Sequence, residues 1–137
     1  MKISLVCVLA AALGLSALPA LAHHSFAAEY DSKKPVELTG TVTKVEWMNP
    51  HARFYLDVKD DKGAVTSWEF ELGSPNGLMR HGWTRNSLKI GDSVSVEGSL
   101  AKDGSNLANA RTIKLPDGRS LFAGSAGETG REPAKGE

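Results

Sequence analysis

Residues 36–58, VELTGTVTKVEWMNPHARFYLDV, decide the fold. The apolar side chains of VELTGTV fall on even-numbered positions, whereas Val45 and Trp47, which follow, fall on odd-numbered ones. Such a change within one alternating run indicates a strand that bends at a glycine or a bulge, and Gly40 lies in this run. A bent first strand is typical of a small barrel.

The next stretches continue the strand pattern and then interrupt it once. RFYLDV (53–58) and AVTSWEFEL (64–72) alternate apolar and polar residues around a turn that ends at Gly63. After them, Ser74 can cap a helix that has Pro75 at its first position and stops before Gly82. This predicts one helix of about two turns.

Alternation returns in SLKIGDSVSVEGSL (87–100) and LANARTIKL (107–115), and a short apolar piece follows around Leu121 and Phe122. Three strands, a helix and two or three further strands predict an all-β domain, a small OB-like antiparallel barrel of five to six strands with one short helix. A plain meander or sandwich with the helix as an addition is the alternative.

The first 22 residues have the pattern of a secretory signal peptide. Lys2 precedes an apolar run from Ile3 to Leu15, and Ala20-Leu21-Ala22 provides a small-x-small cleavage site. The run is shorter than the roughly 20 apolar residues that a transmembrane helix needs. We therefore expect cleavage after Ala22, a periplasmic or secreted location, and no membrane insertion afterwards.

The remaining chain is small, nearly neutral and free of cysteine. It has 115 residues and a net charge of −1, and the single cysteine, Cys7, is lost with the signal peptide. Disulfides, thiolate metal sites and cysteine nucleophiles are thereby excluded. Since no surplus of Lys and Arg remains, we expect no nucleic-acid partner. Residues 23–122 should form one domain with an N-terminal arm, which starts at His23 and includes the unpatterned residues 25–35, and residues 123–137 should form a disordered tail.

Cleavage after Ala22 would make His23 the first residue. Its α-amine and imidazole can then chelate one metal ion, and the amine, with an ordinary pKa of about 7.7–8.0, releases its proton more readily than a lysine does. His24 adds another nitrogen. Nitrogen donors without thiolate favour Cu(II), although zinc and nickel would also bind.

Two further histidines could complete the site. His51 lies between the first two strands, beside Pro50, where the arm could fold back over it; it could equally cap the loop or pair with a carboxylate. His81, at the end of the helix, is the weaker candidate because it also suits the helix dipole. Met48 and Met79 accompany these histidines and would suit Cu(I), but packing in the core or at the rim is the alternative.

Signals for catalysis are few. Ser25 or Ser74 could join a histidine and an acid, but no nucleophile motif surrounds them. Glu69 and Glu71 share one strand face, which is more typical of a solvated surface than of an acid and base pair. We therefore predict no catalytic residues.

As a set, AHHSFAAEYD, LTGTVTKVEWMNPHARFYLDV, WEFELGSPNGLMRHGWTRNSLKIGDSVSVEG and AKDGSNLANARTIKLPDG resemble a family of short exported bacterial proteins of unknown function. The resemblance extends from His23 to about Phe122. It implies export, one small β domain and a mature end at or near His23, but no established activity. His81 falls where the resemblance implies a variable polar or basic residue.

The leading hypothesis is an exported, non-catalytic copper-binding protein whose metal ligands are His23, His24 and His51. The alternative is an OB-like interaction module that binds an envelope protein, a glycan or a small ligand. In that case Tyr55, Trp47 and Trp83 should lie on the outside of the barrel. A copper oxidase with a terminal histidine ligand is a third possibility.

Overall fold

A computed structural model describes residues 26–124 of the chain. After a helical turn at residues 26–29, the elements are β1 (Tyr30–Glu46), β2 (Arg53–Lys59), β3 (Val65–Glu71), α1 (Pro75–Arg80), β4 (Ser93–Ala101), β5 (Leu107–Lys114) and β6 (Ser120–Phe122). This order of strands and helix confirms the sequence prediction. The predicted signal peptide, His23, His24 and residues 125–137 lie outside the described part.

The strands form one sheet that closes on itself. Their order is β3-β2-β1-β4-β5-β6, and β3 also pairs in parallel with β5. The circuit β1-β2-β3-β5-β4 is therefore a closed five-stranded barrel, and β6 extends it beside the end of β5. The OB-like prediction is confirmed, and an open meander or sandwich is wrong because β3 and β5 join the two ends of the sheet.

The bend in β1 lets this one strand serve two neighbours. Residues 35–41 pair with β4 and residues 41–46 with β2, with a register shift between Val42 and Lys44. The bulge explains why the apolar positions change parity. Gly40 is required beside it, since a Cβ there would lie 2.3 Å from the carbonyl oxygen of Asp57 on β2.

Aromatic and aliphatic side chains from every barrel strand fill the interior. Phe54 and Phe70 are fully buried and stack with their ring centroids 5.2 Å apart. Trp83, which follows α1, is also buried, and its indole N–H donates to the Phe122 carbonyl at 2.8 Å. Trp47 and Trp68 are partly buried and pack against this core.

The chain around α1 and the end of the domain are both fixed by hydrogen bonds. The Ser74 hydroxyl accepts the Gly77 N–H at 3.1 Å, as predicted for a helix cap. Ala123 is fully buried, with its N–H donating to Arg111 and its carbonyl accepting from Gly73. The folded domain thus continues past residue 122, where we predicted its end. Between residues 26 and 124, no helix is long and apolar enough to cross a membrane.

Candidate functional site

His51 is held in one orientation by the end of β3. The loop that carries it is fastened by two backbone hydrogen bonds, from Ala52 N–H to Gly73 at 3.0 Å and from Leu72 N–H to Ala52 at 2.8 Å. The Nδ1 atom of His51 lies 3.0 Å from the Leu72 carbonyl oxygen. A carbonyl can only accept, so Nδ1 carries the proton and Nε2 is the basic nitrogen of the neutral ring.

Beside His51, four more polar side chains form a connected group. Arg53 donates to Glu69 and, from Nη2, to Glu71 Oε2 at 3.2 Å. The Tyr30 hydroxyl donates to the same Glu71 oxygen at 3.0 Å, while Glu71 Oε1 lies 3.7 Å from His51 Nδ1. We refer to these five residues as the Glu71 cluster.

Strand register brings three of the five together. Arg53 lies opposite Glu71 in the β2–β3 pairing, and Glu69 and Glu71 project on the same side of β3, away from the core residue Phe70 between them. Because Arg53 contacts both carboxylates, it offsets their mutual repulsion. Its own pKa is raised, first by the hydrogen bond to Glu69 and also by the charge of Glu71.

The expectation that Glu69 and Glu71 form a solvated face is wrong for Glu71, which is only 8% exposed. Glu71 is covered by Tyr30, which is the first residue of β1 and is itself only 2% exposed. Residues 25–35 carry no periodic pattern, so nothing in them predicted a strand that starts before Val36. The one sequence feature that could have suggested the contact between Tyr30 and Glu71 is the tyrosine itself, because the hydroxyl of a buried tyrosine needs a hydrogen-bond partner.

The described part of the N-terminal arm is docked on the barrel at several points. The ring of Phe26 packs against that of Tyr30, with centroids 5.4 Å apart. Lys102, in the β4–β5 turn, donates its backbone N–H to the Glu29 carbonyl at 2.9 Å and its ammonium to the Ala27 carbonyl. The pKa of Glu29 is raised by partial burial and by the negative charge of Glu71.

The structure therefore places one predicted ligand, His51, close to the N-terminal arm. His23 and His24 lie outside the described residues. His81 lies elsewhere: it caps the end of α1, and its ring packs against Phe122 at 4.9 Å. In the described range 26–124, no group of three or more His, Cys, Asp and Glu side chains is arranged to hold a metal ion. A group of three such donors that included His51 would need residues outside this range.

The remaining candidates divide between the core and the surface. Met48 and Met79 are each 51% exposed, so packing in the core is wrong for both. Tyr55 lies on the outer side of β2, with the ammonium of Lys44 5.1 Å from its ring centroid. Trp83 is buried and Trp47 packs against the core, so these two do not join Tyr55 in the outer aromatic group expected of an interaction surface.

The burial of Tyr30 predicts a loss of stability in alkali. Burial and the charge of Glu71 raise the pKa of Tyr30 above its ordinary value of 10.0. The unfolded chain then releases this proton first, so the free energy of unfolding should fall as the pH rises above 10, by up to about 1.4 kcal/mol per pH unit. Denaturant titrations at several pH values should show this slope, and Tyr30→Phe should remove most of it. Tyr55→Phe, which leaves Tyr30 in place, should retain most of it.

Comparison with known proteins gives one sequence family and several solved structures. The model of a family of unknown function, DUF6152, matches residues 11–110. No curated protein matches the chain. The solved structures include the mitochondrial single-stranded DNA-binding protein Rim1 of S. cerevisiae, with 10% identity and a TM-score of 0.48 over 61% of this chain and 93% of that one.

Two further solved structures match a similar share of this chain. The N-terminal domain of PriB from Thermoanaerobacter tencongensis has 20% identity and a TM-score of 0.41 over 61% of this chain and 97% of its own. TiaS, in a complex with a transfer RNA and ATP, has 22% identity and a TM-score of 0.41 over 62% of this chain but only 18% of its own. At such scores these likenesses carry no conclusion about what this chain binds, and the absence of a nucleic-acid partner stays a prediction.

Proposed function

Since the chain belongs to DUF6152, a family of unknown function, we propose its function from its own residues: it is an exported, non-catalytic protein that binds copper through His23 and His51. In this proposal the signal peptide is removed after Ala22, and the new terminus supplies an amine and an imidazole. His51 supplies a third nitrogen, and His24 lies next to the chelate. The ion would sit where the arm meets the β1–β2 loop.

The observation that carries the proposal is the hydrogen bond from His51 Nδ1 to the Leu72 carbonyl, at 3.0 Å. Histidines that bind metals almost always donate their other ring N–H to a carbonyl or a carboxylate, which fixes the tautomer and the direction of the ring. His51 has the carbonyl of Leu72 as its partner and the carboxylate of Glu71 nearby. Its side chain is also 35% exposed, which leaves it open to an incoming ligand.

The path of the arm supports the same proposal. Tyr30 and His51 face the two oxygens of one carboxylate, that of Glu71. Phe26 packs on Tyr30, and His23 precedes Phe26 by three residues. Three residues of extended chain span about 10 Å. The predicted chelate would therefore lie within about 10 Å of Phe26, which packs on Tyr30 where Glu71 also faces His51.

The donor set indicates copper among the common metals. An α-amine and imidazoles, without thiolate, follow the Irving–Williams order, in which Cu(II) binds most strongly, and they suit its tetragonal geometry. The amine becomes a ligand only after losing its proton, which its low pKa makes possible near neutral pH. Binding should consequently weaken as the pH falls below about 7.

The second candidate function is binding of an envelope protein, a glycan or a small ligand on the outer side of the barrel. OB barrels bind ligands on the face of strands 2 and 3 and through the loop between strands 1 and 2. Here that loop exposes Met48, and the β2 face carries Tyr55 beneath Lys44. This candidate does not require His23 or His51.

Copper titration of the mature exported protein tests the leading proposal. Its mass should correspond to a chain that starts at His23, and one equivalent of Cu(II) should give an electron paramagnetic resonance spectrum with nitrogen hyperfine structure. His51→Ala should weaken Cu(II) binding by at least about tenfold. His81→Ala is the matched control, because it removes a histidine whose ring packs on Phe122.

Two results would contradict the proposal. One is a mature chain whose first residue is not His23, because the chelate would then not exist. The other is equal copper affinity in wild type, His51→Ala and His81→Ala, which would leave the second candidate as the function to pursue.

A further inference from the structure

We propose that Glu71 is a positioning residue that anchors the N-terminal arm beside His51, whose ring is oriented by the Leu72 carbonyl and whose Nδ1 lies 3.7 Å from the Glu71 carboxylate. This inference deepens the proposed function and rests on it where copper is concerned, because Glu71 lies between Tyr30 of the arm and His51. It also makes a claim about the metal-free protein, namely that the arm stays docked because of the contact between Tyr30 and Glu71.

The two oxygens of the Glu71 carboxylate face different side chains. Glu71 Oε2 accepts from the Tyr30 hydroxyl at 3.0 Å and from Arg53 Nη2 at 3.2 Å, while Oε1 lies 3.7 Å from His51 Nδ1. The Glu71 carboxylate thus faces Tyr30 of the arm with one oxygen and His51 of the β1–β2 loop with the other. Neither Tyr30 nor His51 can shift without changing its relation to Glu71.

Glu71 is the more buried of the two carboxylates that Arg53 contacts. Its side chain is 11% exposed, against 30% for that of Glu69, although both accept from Arg53. A buried carboxylate is costly unless it is hydrogen-bonded. The Tyr30 hydroxyl and Arg53 supply those hydrogen bonds, so the docked arm provides part of what satisfies the buried carboxylate.

Residues 26–29 make further contacts of their own with the barrel. Apart from Tyr30, the contacts that hold residues 26–29 in the described structure include the backbone bond from Lys102 N–H to Glu29 and the Lys102 ammonium on Ala27. Ala27, Ala28 and Glu29 are exposed. Tyr30 ties this segment to the barrel through its pairing with Ala101 on β4, and its hydroxyl adds the side-chain hydrogen bond to the buried Glu71.

The test uses the metal-free mature protein and two isosteric variants, Glu71→Gln and Tyr30→Phe, with Glu69→Gln as the matched control. Glu69→Gln changes the other carboxylate on Arg53 but leaves the contacts of Tyr30 and His51 with Glu71. The readout is hydrogen exchange of the Lys102 amide, which is protected only while its bond to Glu29 persists. Exchange at core amides such as Val96 reports whether each variant is folded.

We expect Lys102 exchange to accelerate at least about tenfold in Glu71→Gln and Tyr30→Phe while core protection is kept, and to stay unchanged in Glu69→Gln. Unchanged Lys102 exchange in Tyr30→Phe would overturn the proposal, even if Glu71→Gln failed to fold.

Copper then separates this inference from the proposed function. If both hold, Glu71→Gln should weaken Cu(II) binding about 10- to 100-fold and Glu69→Gln should not. Faster Lys102 exchange with unchanged copper affinity would confirm the anchoring role of Glu71 and refute the sharing of one ion by the arm and His51.

Discussion

Replacing Gly98 by alanine should lower the free energy of unfolding by about 3 kcal/mol or more. A Cβ at this position would lie 2.0 Å from the carbonyl oxygen of Asn109 and 3.3 Å from the Cα of Ala110. Both are backbone atoms of β5, so no side-chain rotation can relieve the clash. The strands would have to separate at the register shift between Glu97 and Gly98.

This effect should reach the candidate site. Asn109 is also the residue that pairs with Glu71 where β3 closes the barrel against β5. Chemical denaturation should give the loss of stability, and hydrogen exchange at β3 and β5 should show where it is concentrated. Gly63→Ala is a suitable control. The φ of Gly63 is +83°, a conformation that costs a residue with a side chain about 1–2 kcal/mol, but no atom lies within 4 Å of the added Cβ. Equal losses in the two variants would refute the steric argument.

Truncating Phe70 to alanine should cost about 3–5 kcal/mol. Phe70 is fully buried, stacks on Phe54 at 5.2 Å and lies 6.4 Å from the ring of Trp68. Alanine would leave a cavity between β2 and β3 that the rigid, closed sheet cannot collapse to fill. The loss would remove a large part of the roughly 5–15 kcal/mol by which domains are usually stable.

Val65→Ala, on the same strand, provides the comparison. Val65 is 52% exposed, so its truncation should change the free energy of unfolding by no more than about 0.5 kcal/mol. Denaturation of both variants under one set of conditions measures the difference. A loss below about 1 kcal/mol in Phe70→Ala would mean that the stacked pair is not the centre of the core.

The order of the elements was predictable because it depends on local patterns. Alternation of apolar residues indicated the strands, and the sequence Ser74-Pro75 indicated where the helix begins. The parity change between Val42 and Val45 indicated the bend in β1, which the structure resolves as a bulge next to Gly40. These features rest on backbone geometry within a few residues of one another.

The Glu71 cluster was not predictable in the same way. Glu71 looked like one of two surface carboxylates on β3, and Tyr30 belonged to a segment without a pattern. The two residues are separated by 41 positions in the chain and meet only because the start of β1, paired with the end of β4, brings the Tyr30 hydroxyl to Glu71. His51 was correctly identified as a loop histidine, but its bond to Leu72 depends on how that loop is fastened to β3.

The amino-acid sequence by itself determined the β class, the order of the strands and the position of α1, because side-chain periodicity and turn chemistry act over short stretches of chain. The tertiary structure decided which polar groups are buried. Closure of β3 onto β5 and docking of Tyr30 enclose Glu71 between the arm and His51. Burial of a charge depends on what covers it, and here the cover comes from a distant part of the chain.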